Sequence, residues 1–173
     1  MTDRFAHRLR LDQIRDGERL DLVADEDERR DVAKRLDLVS LERLEAHVTL
    51  ERTGEVVRAT GRLGAALEQS CVITRDPVAG HVDEPFEMLF MPAPVVGEPD
   101  EEIELGETDC DVVFYDGAAI DLGSAIADTL ALSLDPYPRG AGADAALREA
   151  GVVSEAEASP FAVLAKLKRN DET

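Results

Sequence analysis

The chain predicts an α+β fold: a strongly bent antiparallel β-sheet, up to a half-open barrel, with flanking helices and an acidic flexible loop. Three observations point there. Leu44, Ala46, Val48 and Leu50 alternate with Glu45, His47, Thr49 and Glu51, and the alternation resumes beyond Thr53 and Gly54 at Val57, Ala59, Gly61, Leu63 and Ala65. That is a long hairpin with one buried and one wet face. Two other stretches, beginning at Asp25 and Asp121, carry helical spacing and helix-start signals. Between Glu98 and Asp111 lie eight carboxylates and no Lys or Arg.

In chain order, a first strand is expected over Phe5 to Leu11, a turn through Asp16 and Gly17, and a second strand over Glu18 to Val23. The helix after Asp25 opens with Glu26, Asp27 and Glu28 and closes with Lys34 and Arg35, the charge order that suits the helix dipole. The hairpin follows, with Gly61 and Gly64 expected to mark a bend or bulge. After Cys71 the chain turns through Arg75, Asp76 and Pro77 and returns as a strand from Val78 to Met91, in which Pro85 argues for an edge position or a bulge.

Beyond Pro92 periodicity is lost. Glu98, Asp100, Glu101, Glu102, Glu104, Glu107, Asp109 and Asp111 form an acidic run among prolines and glycines, expected within a flexible loop over 93–110 that serves as an interaction surface. A short strand over Val112 to Tyr115 leads to a helix from Asp121 to Leu134, with Asp121 as N-cap and Pro136 past the end. A short helix over Ala143 to Ala150 should stop at Gly151, and a last one should open at Ser159 and Pro160.

The 173 residues suit one domain with a core of Leu, Val and Ala, because aromatics make up only 4% and Trp is absent. The net charge of −19 is uneven: −3 over residues 1–60, −10 over 61–110 and −6 over 111–173. Nucleic-acid affinity comes mainly from Lys and Arg displacing condensed counterions, so direct binding of nucleic acid is not expected. A basic protein would be steered toward the acidic pole. Two cysteines make no disulfide framework, the stretch MTDRFAHRLRL lacks an apolar run of signal-peptide length, and no 18 apolar residues run together. These features fit a cytoplasmic, reduced protein without a membrane segment.

No catalytic constellation emerges. Cys71 has no His within a turn of it in sequence, and its small apolar neighbours suit a buried structural thiol. His7, His47 and His81 fall on separate strands without metal-ligand spacing, and the acidic run lacks the pattern of a calcium loop, so neither a metal nor another cofactor is expected. The segment from Asp135 through Pro136, Tyr137, Pro138 and Arg139 to Gly140 offers stiffness, an aromatic face and a cation for recognition. The preferred reading of it is a helix stop that packs Tyr137 on the sheet. Phe86, Met88 and Phe90 would line an apolar pocket if the bent sheet enclosed a small molecule or lipid.

Cys71, Thr74, Asp76, Pro77 and Val78, followed by Phe86 and Phe90, then Ile120, Asp121, Leu122, Leu130, Leu132, Leu134, Pro136 and Pro138, and finally SPFAVLAKLK at 159–168, together resemble the bacterial YceD family, the large ribosomal RNA subunit accumulation proteins. The order and spacing look similar over roughly residues 40 to 140, and the family motifs mark Cys71, Thr74, Arg75, Asp76, Pro77, Asp121, Leu122, Asp135, Pro136, Tyr137, Pro138 and Arg139 as a binding set. Some members have a second Cys in the first turn and a later Cys pair, suggestive of a zinc knuckle. Here Thr74 and the run from Arg139 to Asp144 stand in those places, and Cys71 with the distant Cys110 cannot complete four ligands. The resemblance implies a non-enzymatic role in large-subunit maturation and accumulation of its RNA, and the charge then favours a basic ribosomal protein or pre-ribosomal particle as partner. The alternative is the small-molecule or lipid carrier.

Overall fold

The computed structural model describes residues 7–93 and 111–152. The acidic run from Glu98 to Asp109 and the expected last helix lie outside the described residues. The chain divides into two compact units, residues 1–69 with 79–136, and residues 70–78 with 137–173.

In the first unit, β1 (Arg8–Arg10) pairs antiparallel with β7 (Ala119–Asp121), a strand too short for its alternation to be read in advance. β1 ends one residue before the expected Leu11 because the chain turns at once into a 3-10 segment, Leu11–Gln13, where the Leu11 amide donates to the Ala118 carbonyl at 2.9 Å; the expected start at Phe5 lies outside the described residues. β2 (Glu18–Val23), β3 (Ser40–Thr53), β4 (Val56–Ser70), β5 (Pro77–Pro92) and β6 (Asp111–Tyr115) form a five-stranded sheet in that order.

β2 with β3 and β3 with β4 are antiparallel, as the alternation required. Arg62 reaches Asp83 at 2.5 Å and Arg58 reaches Glu87 at 2.5 Å, so moving back along β4 moves forward along β5, and this pair is antiparallel too. β6, however, runs parallel to β5, from Met88 opposite Asp111 to Pro92 opposite Tyr115. The sheet is therefore mixed, not purely antiparallel, and its order ends on two different strands, β2 and β6, so it does not close into a barrel. A parallel pair needs a crossover of about a dozen residues or more, and the chain between β5 and β6 is long enough for one. Asp111, assigned from sequence to the acidic loop, is the first residue of β6.

Gly61 and Gly64 do not mark a bulge. They sit in an unbroken ladder opposite Val48 and Glu45, and the register shift lies instead between Leu41 and Arg43. Gly61 answers to close approach: a Cβ there would lie 2.1 Å from the His47 carbonyl oxygen and 2.8 Å from Cζ of Phe86. Pro85 precedes the stretch of β5 that pairs with β6, so its missing N–H costs no bond in that ladder.

α1 (Glu26–Arg35) starts on a full capping box, with the Asp25 carboxylate accepting from the Glu28 amide at 2.9 Å and the Glu28 carboxylate accepting from the Asp25 amide at 2.8 Å. α2 (Leu122–Ser133) starts at Asp121, whose Oδ1 accepts from the Ser124 amide at 3.0 Å. It buries Leu122, Ala125, Ile126 and Leu130, one stripe at helical spacing, in the core that also holds Leu44, Leu50, Leu63, Met88 and Phe90.

The second unit holds the turn after β4 and α3 (Ala143–Glu149), which ends where Gly151 takes φ 78°.

Candidate functional site

Two sequence motifs far apart in the chain meet in the second unit. From Cys71 the backbone closes a tight turn: the Arg75 amide donates to the Cys71 carbonyl at 3.0 Å and the Cys71 amide to the Asp76 carbonyl at 2.8 Å. Arg75 pays for this closure with φ 66°, a left-handed conformation unusual outside glycine. The Thr74 hydroxyl accepts from the Asp76 amide at 3.4 Å. The turn is then tied to the segment after Pro136, because the Val72 amide donates to the Pro138 carbonyl at 2.9 Å and the Gly140 amide donates to the Cys71 sulfur at 3.4 Å.

Cys71 is fully buried, as the sequence suggested for a structural thiol. Its sulfur accepts from the Gly140 and Thr74 amides, the latter at 3.5 Å. These hydrogen bonds, Gly140 first and then Thr74 and Ile73, pull its pKa down to about 6 against burial, which alone would push it up. The sulfur is sealed from solvent, and it accepts from both the turn and the segment after Pro138. The site therefore works as a clasp. Among the described residues no three His, Cys, Asp or Glu side chains are grouped to hold a metal ion, and Cys110 lies outside them.

Of the residues marked from sequence, the structure brings together Cys71, Thr74, Arg75, Asp76 and Pro138. Cys71 and Pro138 are buried, whereas Arg75, Asp76, Pro77, Tyr137 and Arg139 are exposed. Tyr137 does not pack away as the helix-stop reading required: it is 73% exposed, since Pro138 and not Tyr137 turns inward. Asp121 and Leu122 are not part of this clasp. They cap and bury α2 in the other unit, where Asp135 also lies, its carbonyl accepting from the Gln69 side chain at 2.9 Å. Gly140 ended the recognition segment but was not marked as a site residue in its own right, although a glycine beside a Pro-rich turn is a signal for a position whose backbone must do the bonding.

His47 and His81 fall on separate strands as expected, His7 lies just before β1, and His47 binds Asp21 through Nδ1 at 2.6 Å on the wet face of the hairpin. The first unit also has an open cleft of about 320 Å³. Phe90, itself fully buried, borders it, Phe86 and Met88 do not line it, and its rim carries Asp116, Asp121 and Asp128, so it is not the apolar enclosure a lipid carrier calls for.

The family model for the large ribosomal RNA subunit accumulation protein YceD matches residues 59–168, a span that contains both halves of the clasp. The chain belongs to the YceD family. Nothing among curated proteins or solved structures matches it. The YceD name implies a part in accumulation of large-subunit ribosomal RNA, and hence an association with ribosomal components. No helix among the described residues is long and apolar enough to cross a membrane. For this YceD chain, the residues that carried the resemblance at Cys71 and at Pro138 do a common structural job: they lock one turn to one proline-rich segment and leave Arg75, Tyr137 and Arg139 facing solvent.

Proposed function

We propose that the protein supports large ribosomal subunit assembly without catalysis, in the cytoplasm, by binding a basic ribosomal protein or a pre-ribosomal particle that displays one. YceD membership is the observation that carries this reading. The net charge of −19 supports the choice of partner, because a surface with twice as many carboxylates as cations repels a phosphate backbone and attracts a cationic protein. We read residues 1–173 as one YceD-like functional domain, with the run from Glu98 to Asp111 supplying much of the field that steers the partner and the clasp presenting Arg75, Tyr137 and Arg139 for contact.

Affinity purification of the tagged chain from its native cells, with ribosomal fractions resolved and salt varied from low to moderate, tests this. Small basic ribosomal proteins should be enriched and should fall away as salt rises. Recovery of bare RNA with no protein, or turnover of a substrate by the isolated chain, would contradict it.

A further inference from the structure

We propose that the free edge of β6 and the acidic-rimmed cleft beside it form a docking site for an extended segment of a basic polypeptide, which adds to the sheet as a further strand. This rests on the proposed function in taking the partner to be cationic. Among the described residues β6 is the last strand of its sheet. The Ala93 amide donates to the Tyr115 carbonyl at 2.9 Å, so Tyr115, and by the alternation of a strand Val113 and Asp111, turn their backbone groups toward β5. Val112 and Phe114 therefore turn theirs outward, and no described group bonds to them. Such an edge is a template for a guest strand, with neighbouring pockets setting which side chains it accepts.

Two features select the guest. Phe114 is 52% exposed, an aromatic platform at the lip of the 320 Å³ cleft, beside the half-buried Val113. The rim carries Asp116, Asp121 and Asp128 against one cation, Arg8. Asp121 also caps α2 and Asp128 pairs with Arg35, which leaves Asp116 with no described bond and in position for an incoming Lys or Arg. The chain's own residues 94–110 bring seven carboxylates and no Lys or Arg, and a second copy brings a net charge of −19, so both have the wrong sign for this rim.

The test uses the full-length, isotopically labelled protein and a short peptide alternating Lys and Val, with Glu–Val and Lys–Gly peptides as controls. The Lys–Val peptide should shift and slow the exchange of the Val112 and Phe114 amides, the Glu–Val peptide should not bind, and the Lys–Gly peptide should bind more weakly. Phe114→Pro removes an outward N–H and the aromatic platform, and should weaken binding about tenfold or more. Asp116→Lys, which disturbs no strand bond, should weaken it about threefold or more and slow association; Phe114→Ala covers the case in which the proline variant fails to fold.

No binding, equal binding of the Glu–Val peptide, shifts that map away from β6, or Val112 and Phe114 amides already protected in the free protein would each overturn the proposal. The purification test fails separately. Ribosomal proteins that copurify undiminished with Phe114→Ala overturn this site and leave the function standing, whereas peptide capture at β6 with no ribosomal protein recovered from cells supports the site and removes the function.

Discussion

The amide of Gly140 donates to the sulfur of Cys71 across 69 positions of sequence, and this contact closes the clasp. Cys71→Ala takes the acceptor from both Gly140 and Thr74. Hydrogen exchange at the Gly140 amide should quicken about fivefold, since one intramolecular bond contributes about 1 kcal/mol net. Cys71→Ser, which retains an acceptor, should show a smaller effect, and equal exchange in all three proteins would mean that the sulfur holds nothing.

The same sulfur predicts a pH dependence. Its pKa is lowered from 9.0 to about 6 on folding, so the unfolded chain binds more protons than the folded one between those values. The contribution is fully present above about 9 and is lost as pH falls through about 6, so stability should rise with pH across that window. Urea midpoints of the wild type and Cys71→Ser, both on a Cys110→Ser background, should diverge as pH rises; parallel profiles would refute the assignment.

Gly61 is held by backbone geometry and not by flexibility. In Gly61→Ala the new Cβ meets the His47 carbonyl oxygen at 2.1 Å and Phe86 at 2.8 Å, and overpacking of this kind costs about 1–3 kcal/mol. Gly64→Ala meets only the flexible Glu45 side chain, at 3.3 Å, and should change stability by less than about 0.5 kcal/mol. Trimming Phe86 should not rescue Gly61→Ala, because the carbonyl clash remains. Urea unfolding of the three variants checks the order.

On the wet face of the hairpin, His47 has its pKa raised, first by its hydrogen bond to Asp21 and then by the charge of that carboxylate. A raised pKa in the folded state favours folding below the unfolded value of 6.5, and that contribution disappears as pH rises through the folded value. Asp21→Asn should return the His47 titration, followed by NMR, toward its ordinary range. An unchanged titration would show that the pair does not persist in solution.

How much of this could be read in advance depends on the range of the interactions. The hairpin was legible because Leu44, Ala46, Val48 and Leu50 bury one face of β3, which forces period two. α1 was legible because its signals are local, Glu26, Asp27 and Glu28 in the first turn and Lys34 and Arg35 in the last. The direction of β6 was not, since a run such as Val112 to Tyr115 reads the same in a parallel or an antiparallel pair and the connection decides. The bulge expected at Gly61 is absent because the glycine answers instead to the His47 carbonyl and Phe86, which sit on two other strands. For the clasp, the motif residues were visible but their meeting was not: Thr74, Gly140 and the buried sulfur satisfy one another through space, while Asp121 and Leu122, equally prominent in the text, serve α2.

The exposed part of the clasp yields a prediction about association. Arg75, Tyr137 and Arg139 face solvent, while Cys71 and Pro138 beneath them carry the burial. Aromatic and Arg side chains dominate binding energy at protein interfaces, and surface changes away from packed groups usually alter stability by less than about 0.5 kcal/mol. Arg139→Glu should therefore leave the unfolding midpoint nearly in place and still reduce copurification of ribosomal components several-fold, and Tyr137→Ala should reduce copurification too, with the double variant lower than either. Lost copurification together with a large drop in stability would instead assign both residues to holding the clasp shut.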